Sequence, residues 1–254
     1  MINLYANIGV GHENDWDCIY SRVVAAAQCN VDAIIMTKST PAFIIPENKK
    51  YVSMESKWGS LPYIEVAKRS ELCSKNVKKL LDLKKQIGIP LIWCITDNES
   101  GDWVKQFDPD AQSVKIHYDS SNDLEVVRFA KDNFRDVMYY ANGDHVDEIY
   151  AMYPRGVEIK KHVKLFHTPS KFPAQVEESK LGNIDLINEK YQHAQIGYEG
   201  RCPDIYPDCA VVLKKVDYIE KYLGDEEPFN DAVLTHQKFY DFFVNMNQLE
   251  IAHE

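Results

Sequence analysis

"PLIWCITDNESGDWVKQFDPDAQSVKIHY", residues 90–118, holds one complete repeat of this chain's plan. The run "PLIWCIT" (90–96) is short, apolar and rich in β-formers, which reads as a buried strand. "ESGDWVKQFD" (99–108) has the mixed character of a surface helix. "SVKIHY" (113–118) then alternates: Val114 and Ile116 suit a helix-covered face, and Lys115 and His117 point the other way. Strand, helix and strand in this order predict a parallel pair, because parallel neighbours need a crossover connection.

The unit recurs in both directions. Further strands are expected at 2–8, 31–38, 136–142, 163–168, 194–199 and 216–223, which with the first two makes eight. Helical stretches separate them. The clearest is "CSKNVKKLLDLKKQIG", where Val77, Leu80, Leu81, Lys84 and Ile87 recur at helical spacing and Gly88 stops the run. The weakest is "DIYPDCAVVLKK", whose flanking Pro203 and internal Pro207 suit only a first turn or a loop. Eight βα units predict a (β/α)8 TIM barrel, one α/β domain over residues 1–254. An open doubly wound sheet is the alternative. The first βα joint, "GVGHEND" (9–15), is not the glycine fingerprint that would support it. Gly9 and Gly11 allow a tight turn there, and Asn14 or Asp15 can cap the next helix. Residues 41–62, with three prolines, form a long connection that fits a lid over the barrel mouth.

Composition excludes several classes. The chain has 254 residues, 45% hydrophobic and 27% charged, which leaves room for a sizeable core. A net charge of −10 argues against a general nucleic-acid or anionic-membrane binder, though a small basic pocket is compatible with it. There is no signal-peptide pattern at "MINLYANIGV" and no apolar run long enough to span a bilayer. The six cysteines are scattered without a CxxC pair, which fits reduced thiols in a cytoplasm.

Barrel sites lie at the C-terminal ends of the strands. The polar residues expected there include Asn7, His12, Lys38, Thr96, Lys115, His117, Asp119, Asn142, His167, Ser170, Glu199, Arg201, Glu220 and Tyr222. A lysine inside a barrel is costly without an anionic partner, so Lys115 implies either an anionic ligand or an ion pair within the protein. Lys38, Lys115 and Arg201 on three strand ends, with Thr96 between, suit the oxygens of a phosphate and a carboxylate, hence a small anionic substrate.

An ordered series of segments adds to this. "ANIGVGHEND", "AAAQCNVDAIIMTK", "PYIEVAKRSEL", "IGIPLIWCITD", "DPDAQSVKI", "VKLFHTPSKFPAQVEESKLGNIDLI", "AQIGYEG" and "YIEKYLGDEEPFND" run collinearly over almost the whole chain. In them the chain resembles the barrel domain of the N-acetylneuraminate (sialic acid) synthase family, which condenses phosphoenolpyruvate with an N-acetylated sugar. The resemblance implies that Thr96 and Lys115 hold phosphoenolpyruvate, that His12 is the loop histidine, and that Asp231 is the aspartate of the last loop. Ser170 stands where the family has asparagine. Asn142, His167 and Glu199 complete the expected substrate-binding set, and Lys38, Lys115, His12 and Arg201 the expected catalytic set.

The departures are specific. Asn7 replaces the family's acidic residue on strand one. The strand-two lysine falls on Met36, with Lys38 two residues on and about 6–7 Å further along. The two histidines that hold the family's divalent metal are Arg201 and Tyr222 here, so no metal cofactor is expected. The resemblance ends with the eighth helix, so the family's C-terminal antifreeze-like domain is not expected. Two functions follow. One is a divergent synthase joining phosphoenolpyruvate, or a related small anion, to a sugar-type aldehyde in nonulosonic acid or surface-glycan biosynthesis, as a cytoplasmic homodimer. The other is a catalytically inactive barrel acting as a binding or regulatory partner.

Overall fold

The computed structural model describes residues 2–9, 11–141, 146–152, 162–224 and 232–253. Eight parallel strands form the barrel: β1 (Asn3–Gly9), β2 (Ala33–Lys38), β5 (Leu91–Ile95), β6 (Ser113–Ile116), β7 (Asp136–Tyr140), β8 (Val163–His167), β9 (Gln195–Gly200) and β10 (Tyr218–Leu223). They pair in that order. The register from Asn3↔Tyr218 to Asn7↔Tyr222 joins β1 to β10 and closes the ring. Closure removes the open-sheet alternative. A two-residue strand, β11 (Val233–Leu234), adds to β10 outside the ring.

The closed form follows from strand alternation. Leu4, Ala6, Ile34, Met36, Trp93, Ile95, Val114, Ile116, Val137, Leu165, Ile196 and Ile219 face outward into one large core with the helices. Tyr5, Ala33, Ile35, Ile92, Cys94, Met138, Tyr140, Phe166 and Tyr218 face inward and fill the lower lumen. Burying both faces of every strand is the main stabilising term.

The helices are α1 (Trp16–Gln28), α4 (Tyr63–Ser70), α5 (Ser74–Ile87), α6 (Asn98–Phe107), α7 (Leu124–Asn133), α8 (Val146–Ala151), α9 (Gly182–Lys190), α10 (Tyr206–Val212) and α11 (His236–His253). Side chains start three of them. Asp15 accepts the Asp17 and Cys18 amides, Asp97 closes a capping box with Ser100, and Asp123 caps α7. Gly88, at φ +78°, ends α5 as the sequence predicts. In α10, Pro207 occupies the first turn, where a missing amide costs nothing.

The connection at 41–62 is more ordered than its prolines imply. It comprises α2 (Pro41–Ile44), α3 (Glu47–Lys50) and a hairpin of β3 (Ser53–Ser56) and β4 (Gly59–Pro62). It lies against the C-terminal mouth. The Thr40 amide donates to Thr96 Oγ1 at 3.2 Å, and the Lys57 ammonium reaches the Glu13 carbonyl on the β1–α1 loop. Among the described residues no helix is long and apolar enough to cross a membrane.

Candidate active site

Register places three charged side chains in the upper lumen. Glu199 and Glu220 sit side by side on β9 and β10, and Lys115 reaches them from β6. The Lys115 ammonium donates to Glu199 Oε2 at 2.7 Å and to both Glu220 oxygens at 2.6 and 2.7 Å. Asn7 on β1 donates to Glu220 Oε1 at 2.6 Å. Glu199 also receives the Tyr140 hydroxyl at 2.5 Å, the Arg201 Nε at 2.6 Å and the Tyr222 hydroxyl at 2.9 Å. Every one of these groups is buried or nearly so, and each charge is compensated, as burial requires.

The two carboxyls are not equivalent. Burial disfavours the charge on Glu199, but the Lys115 and Arg201 cations overcome that and hold it well below the usual carboxylate range. Glu220 has only Lys115 and Asn7 and lies beside Glu199, so burial pushes its carboxyl up. Burial also opposes the charge on Lys115, yet its two carboxylates keep the ammonium protonated well above its ordinary range. Tyr140 and Tyr222, buried beside Glu199, are held as neutral donors.

A cavity of 740 Å³ opens above this network at the C-terminal mouth. Asn7, Thr37, Ser39, Thr96, Lys115, His117, Asp119, Tyr140 and Tyr222 line it, together with Arg22 from α1 and Lys49 from α3. Thr96 links mouth and lumen: its hydroxyl accepts the Thr40 amide and donates to Asp97 Oδ2 at 2.7 Å.

The expected residues separate into groups. Lys115 and Thr96 line the cavity, and Glu199 lies just beneath it. Arg201 does not line it. Its guanidinium is roofed by the rings of Tyr118, Tyr140 and Phe172, at 4.7, 5.8 and 6.0 Å, and its Nη1 donates to the Pro169 carbonyl. His12 is buried behind the β1–α1 loop, where its Nδ1 accepts the Asn14 amide. Ser170 is exposed on the loop after β8. Asn142 and Asp231 lie outside the described residues.

Two placements correct the sequence reading. Lys38 does not share the lumen with Lys115. On β2 the inward residues are Ala33, Ile35 and Thr37, so Met36 and Lys38 face the helices. The Lys38 ammonium pairs with Glu71 at 2.5 Å and lies 5.3 Å from the Trp103 ring. His167 likewise turns outward, its Nε2 on the Ser179 carbonyl at 2.7 Å. Tyr140 was missed. "DVMYYAN" offers two adjacent tyrosines, and only the pairing of Met138 with Lys115 fixes that Tyr140, not Tyr139, faces in.

Arg201 and Tyr222, which the resemblance puts at the family's metal positions, do not fit a divalent cation. Both donate to the same oxygen, Glu199 Oε1, and a guanidinium has no lone pair to offer. Among the described residues no group of three or more His, Cys, Asp or Glu side chains is arranged to hold a metal ion.

A model of the NeuB family matches residues 22–252. The spore coat polysaccharide biosynthesis protein SpsE of Bacillus subtilis (strain 168) is 22% identical over 230 residues, covering 86% of this chain and 58% of that relative. The chain thus spans less than two thirds of that relative's length. Among solved structures, an N-acetylneuraminic acid (sialic acid) synthetase from Leptospira borgpetersenii serovar Hardjo-bovis, in complex with citrate, superposes with a TM-score of 0.82. The identity is 16%, over 99% of this chain and 85% of that one. A truncated 3-deoxy-D-arabino-heptulosonate 7-phosphate synthase from Thermotoga maritima gives a TM-score of 0.69 at 11% identity, over 99% and 87%. At these identities the structural likeness is one of fold.

Proposed function

The chain belongs to the NeuB family, and from that premise we propose that it is a sugar-acid synthase, joining phosphoenolpyruvate to a sugar-type aldehyde in nonulosonic acid or surface-glycan biosynthesis. The observation that carries the reading is the open cavity at the barrel mouth with Lys115 at its floor. A barrel kept only as a scaffold has no need to leave 740 Å³ unfilled above a buried polar network. In this reading Lys115 and Thr96 hold the anionic substrate. Glu220 sets the charge available to it: with Glu220 protonated, Lys115 and Arg201 face one carboxylate and the floor is net positive. Glu199 locks the geometry, since its two oxygens are engaged by four donors. Ser170 reaches solvent at the loop after β8, and Lys38, His12, His167 and Arg201 support the walls from outside the cavity. We propose that the reaction proceeds without a divalent metal, because Arg201 and Tyr222 are both hydrogen-bond donors in this network. We propose that the protein works in the cytoplasm, in keeping with its six unpaired cysteines, and as a homodimer.

The test is phosphate release from phosphoenolpyruvate across a panel of N-acetylated sugars, in excess chelator. Release with at least one sugar is expected. Release that disappears with chelator and returns with manganese overturns the metal-free part. A second reading, a catalytically inactive binding barrel, is favoured by one observation: Lys115 and Arg201, the cations of this network, are already matched by carboxylates of the protein itself. Binding of phosphoenolpyruvate with no release for any sugar would select that reading.

A further inference from the structure

Among the described residues three histidines stand near the mouth, and the fold separates them. His12 is sealed under the β1–α1 loop, and His167 faces the helices. His117 continues the inward face of β6 two residues beyond Lys115, and it lines the cavity with Asp119. Its side chain keeps 34% exposure, enough for a ligand to reach the ring. Its Nδ1 accepts the Asp119 amide at 3.4 Å and so caps the short turn Tyr118–Ser120. In the neutral ring the proton is therefore on Nε2. The Asp119 carboxylate lies 3.7 Å from the same Nδ1, placed to take a second proton's charge.

We propose that His117 is the catalytic acid of the condensation and that Asp119 is the residue that positions its imidazolium. The inference rests on the synthase reading above and assigns a residue within that site. As the enol carbon of phosphoenolpyruvate bonds to the aldehyde carbon, the carbonyl π pair moves to oxygen, which takes the proton from His117 Nε2. The ring is left neutral in the tautomer opposite to the resting one, its Nδ1–H turned from the Asp119 amide to the Asp119 carboxylate. Water then adds at the phosphate-bearing carbon and gives one proton back to Nε2. The C–O bond to phosphate breaks as the new hydroxyl passes its remaining proton to the departing phosphate, leaving a keto acid and inorganic phosphate. The acid must be supplied by the protein, because the residues at the family's metal positions donate to Glu199 instead. Burial lowers the His117 pKa, Asp119 and Glu199 oppose that, and Lys115 and Arg201 reinforce it. The charged ring therefore gains population only as pH falls below the ordinary imidazole range, and kcat falls as pH rises.

The experiment is steady-state phosphate release as a function of pH for wild type, His117→Gln and Asp119→Asn, with phosphoenolpyruvate affinity measured by calorimetry. His117→Gln is expected to lower kcat by about a hundredfold or more, leave KM for phosphoenolpyruvate little changed, and abolish the pH dependence. Asp119→Asn alters a largely exposed side chain that the fold does not need, and it should move the same limb to lower pH. A wild type that turns over while His117→Gln keeps its kcat or its pH limb overturns the catalytic role. An unmoved limb in Asp119→Asn overturns the positioning role. A wild type that releases no phosphate with any sugar overturns the synthase reading, and this assignment with it.

Discussion

Lys115 and Lys221 are both almost wholly buried, at 1% and 0% exposure, and both are tied to carboxylates at 2.7 Å or less. They lie on opposite faces of the barrel wall. Lys115 faces the lumen, below an open cavity. Lys221, next to Glu220 on β10, faces outward, where Asp208 of α10 and the Cys202 carbonyl hold it against the Phe242 ring. Gly200 completes that packing, since a Cβ there would come within 2.0 Å of Asp208 Oδ1. Desolvation is equally severe at the two sites, so burial and pairing alone do not mark function. What separates the two lysines is access to a space where a ligand fits.

The largest expected effect breaks the outer pair. Lys221→Met leaves Asp208 buried and unpaired and should cost about 3–5 kcal/mol, read from urea denaturation. The double variant Lys221→Met/Asp208→Leu should recover most of that loss and bind phosphoenolpyruvate like wild type. A single variant within 1 kcal/mol of wild type would dissolve the contrast with Lys115.

A smaller effect comes from His12, a titratable group buried without a cavity. Burial, with Arg22 and Lys57 nearby, lowers its pKa from 6.5 to about 4. The unfolded chain therefore binds this proton first as pH falls. The stability is full above about pH 6.5 and declines towards pH 4, by about 3 kcal/mol for this group. His12→Gln should flatten the pH dependence of the urea midpoint in that window; an unchanged slope would show that His12 titrates normally.

The lumen should respond to pH in binding. The Glu220 carboxyl is raised by burial, so its protonation as pH falls frees positive charge at Lys115. Affinity for phosphoenolpyruvate should rise by up to about tenfold per pH unit through that titration, and Glu220→Gln should remove the dependence. The smallest effect is expected at Lys38. Its pair with Glu71 lies in the helical layer, turned away from the lumen, so Lys38→Ala should leave binding unchanged. Lost binding there would place Lys38 functionally with Lys115.

The barrel was legible because each strand is bounded by turn residues and each helix by its own stop, as at Gly88. Facing was legible only where polar and apolar residues alternate. In "SVKIHY" they do, and Lys115 and His117 turn inward. In "AIIMTK" they do not, and Lys38 was placed on the wrong face because nothing in an apolar run sets its parity. The meeting of Arg201 and Tyr222 on one oxygen of Glu199 depends on the register between β9 and β10, which no local pattern carries. The same holds for Glu71, which reaches Lys38 from the turn between α4 and α5.

The most direct test of Lys115 as the floor of a metal-free anion site is calorimetric titration of phosphoenolpyruvate in excess chelator. Wild type and Lys115→Met/Glu220→Gln should be compared. The double variant removes one charge of each sign, so Arg201 and Glu199 remain paired and the lumen stays balanced. The expected result is saturable binding to wild type and none to the double variant, with both folded by circular dichroism. Equal affinity in the two proteins, or binding to wild type that appears only when a divalent metal is added back, would contradict it.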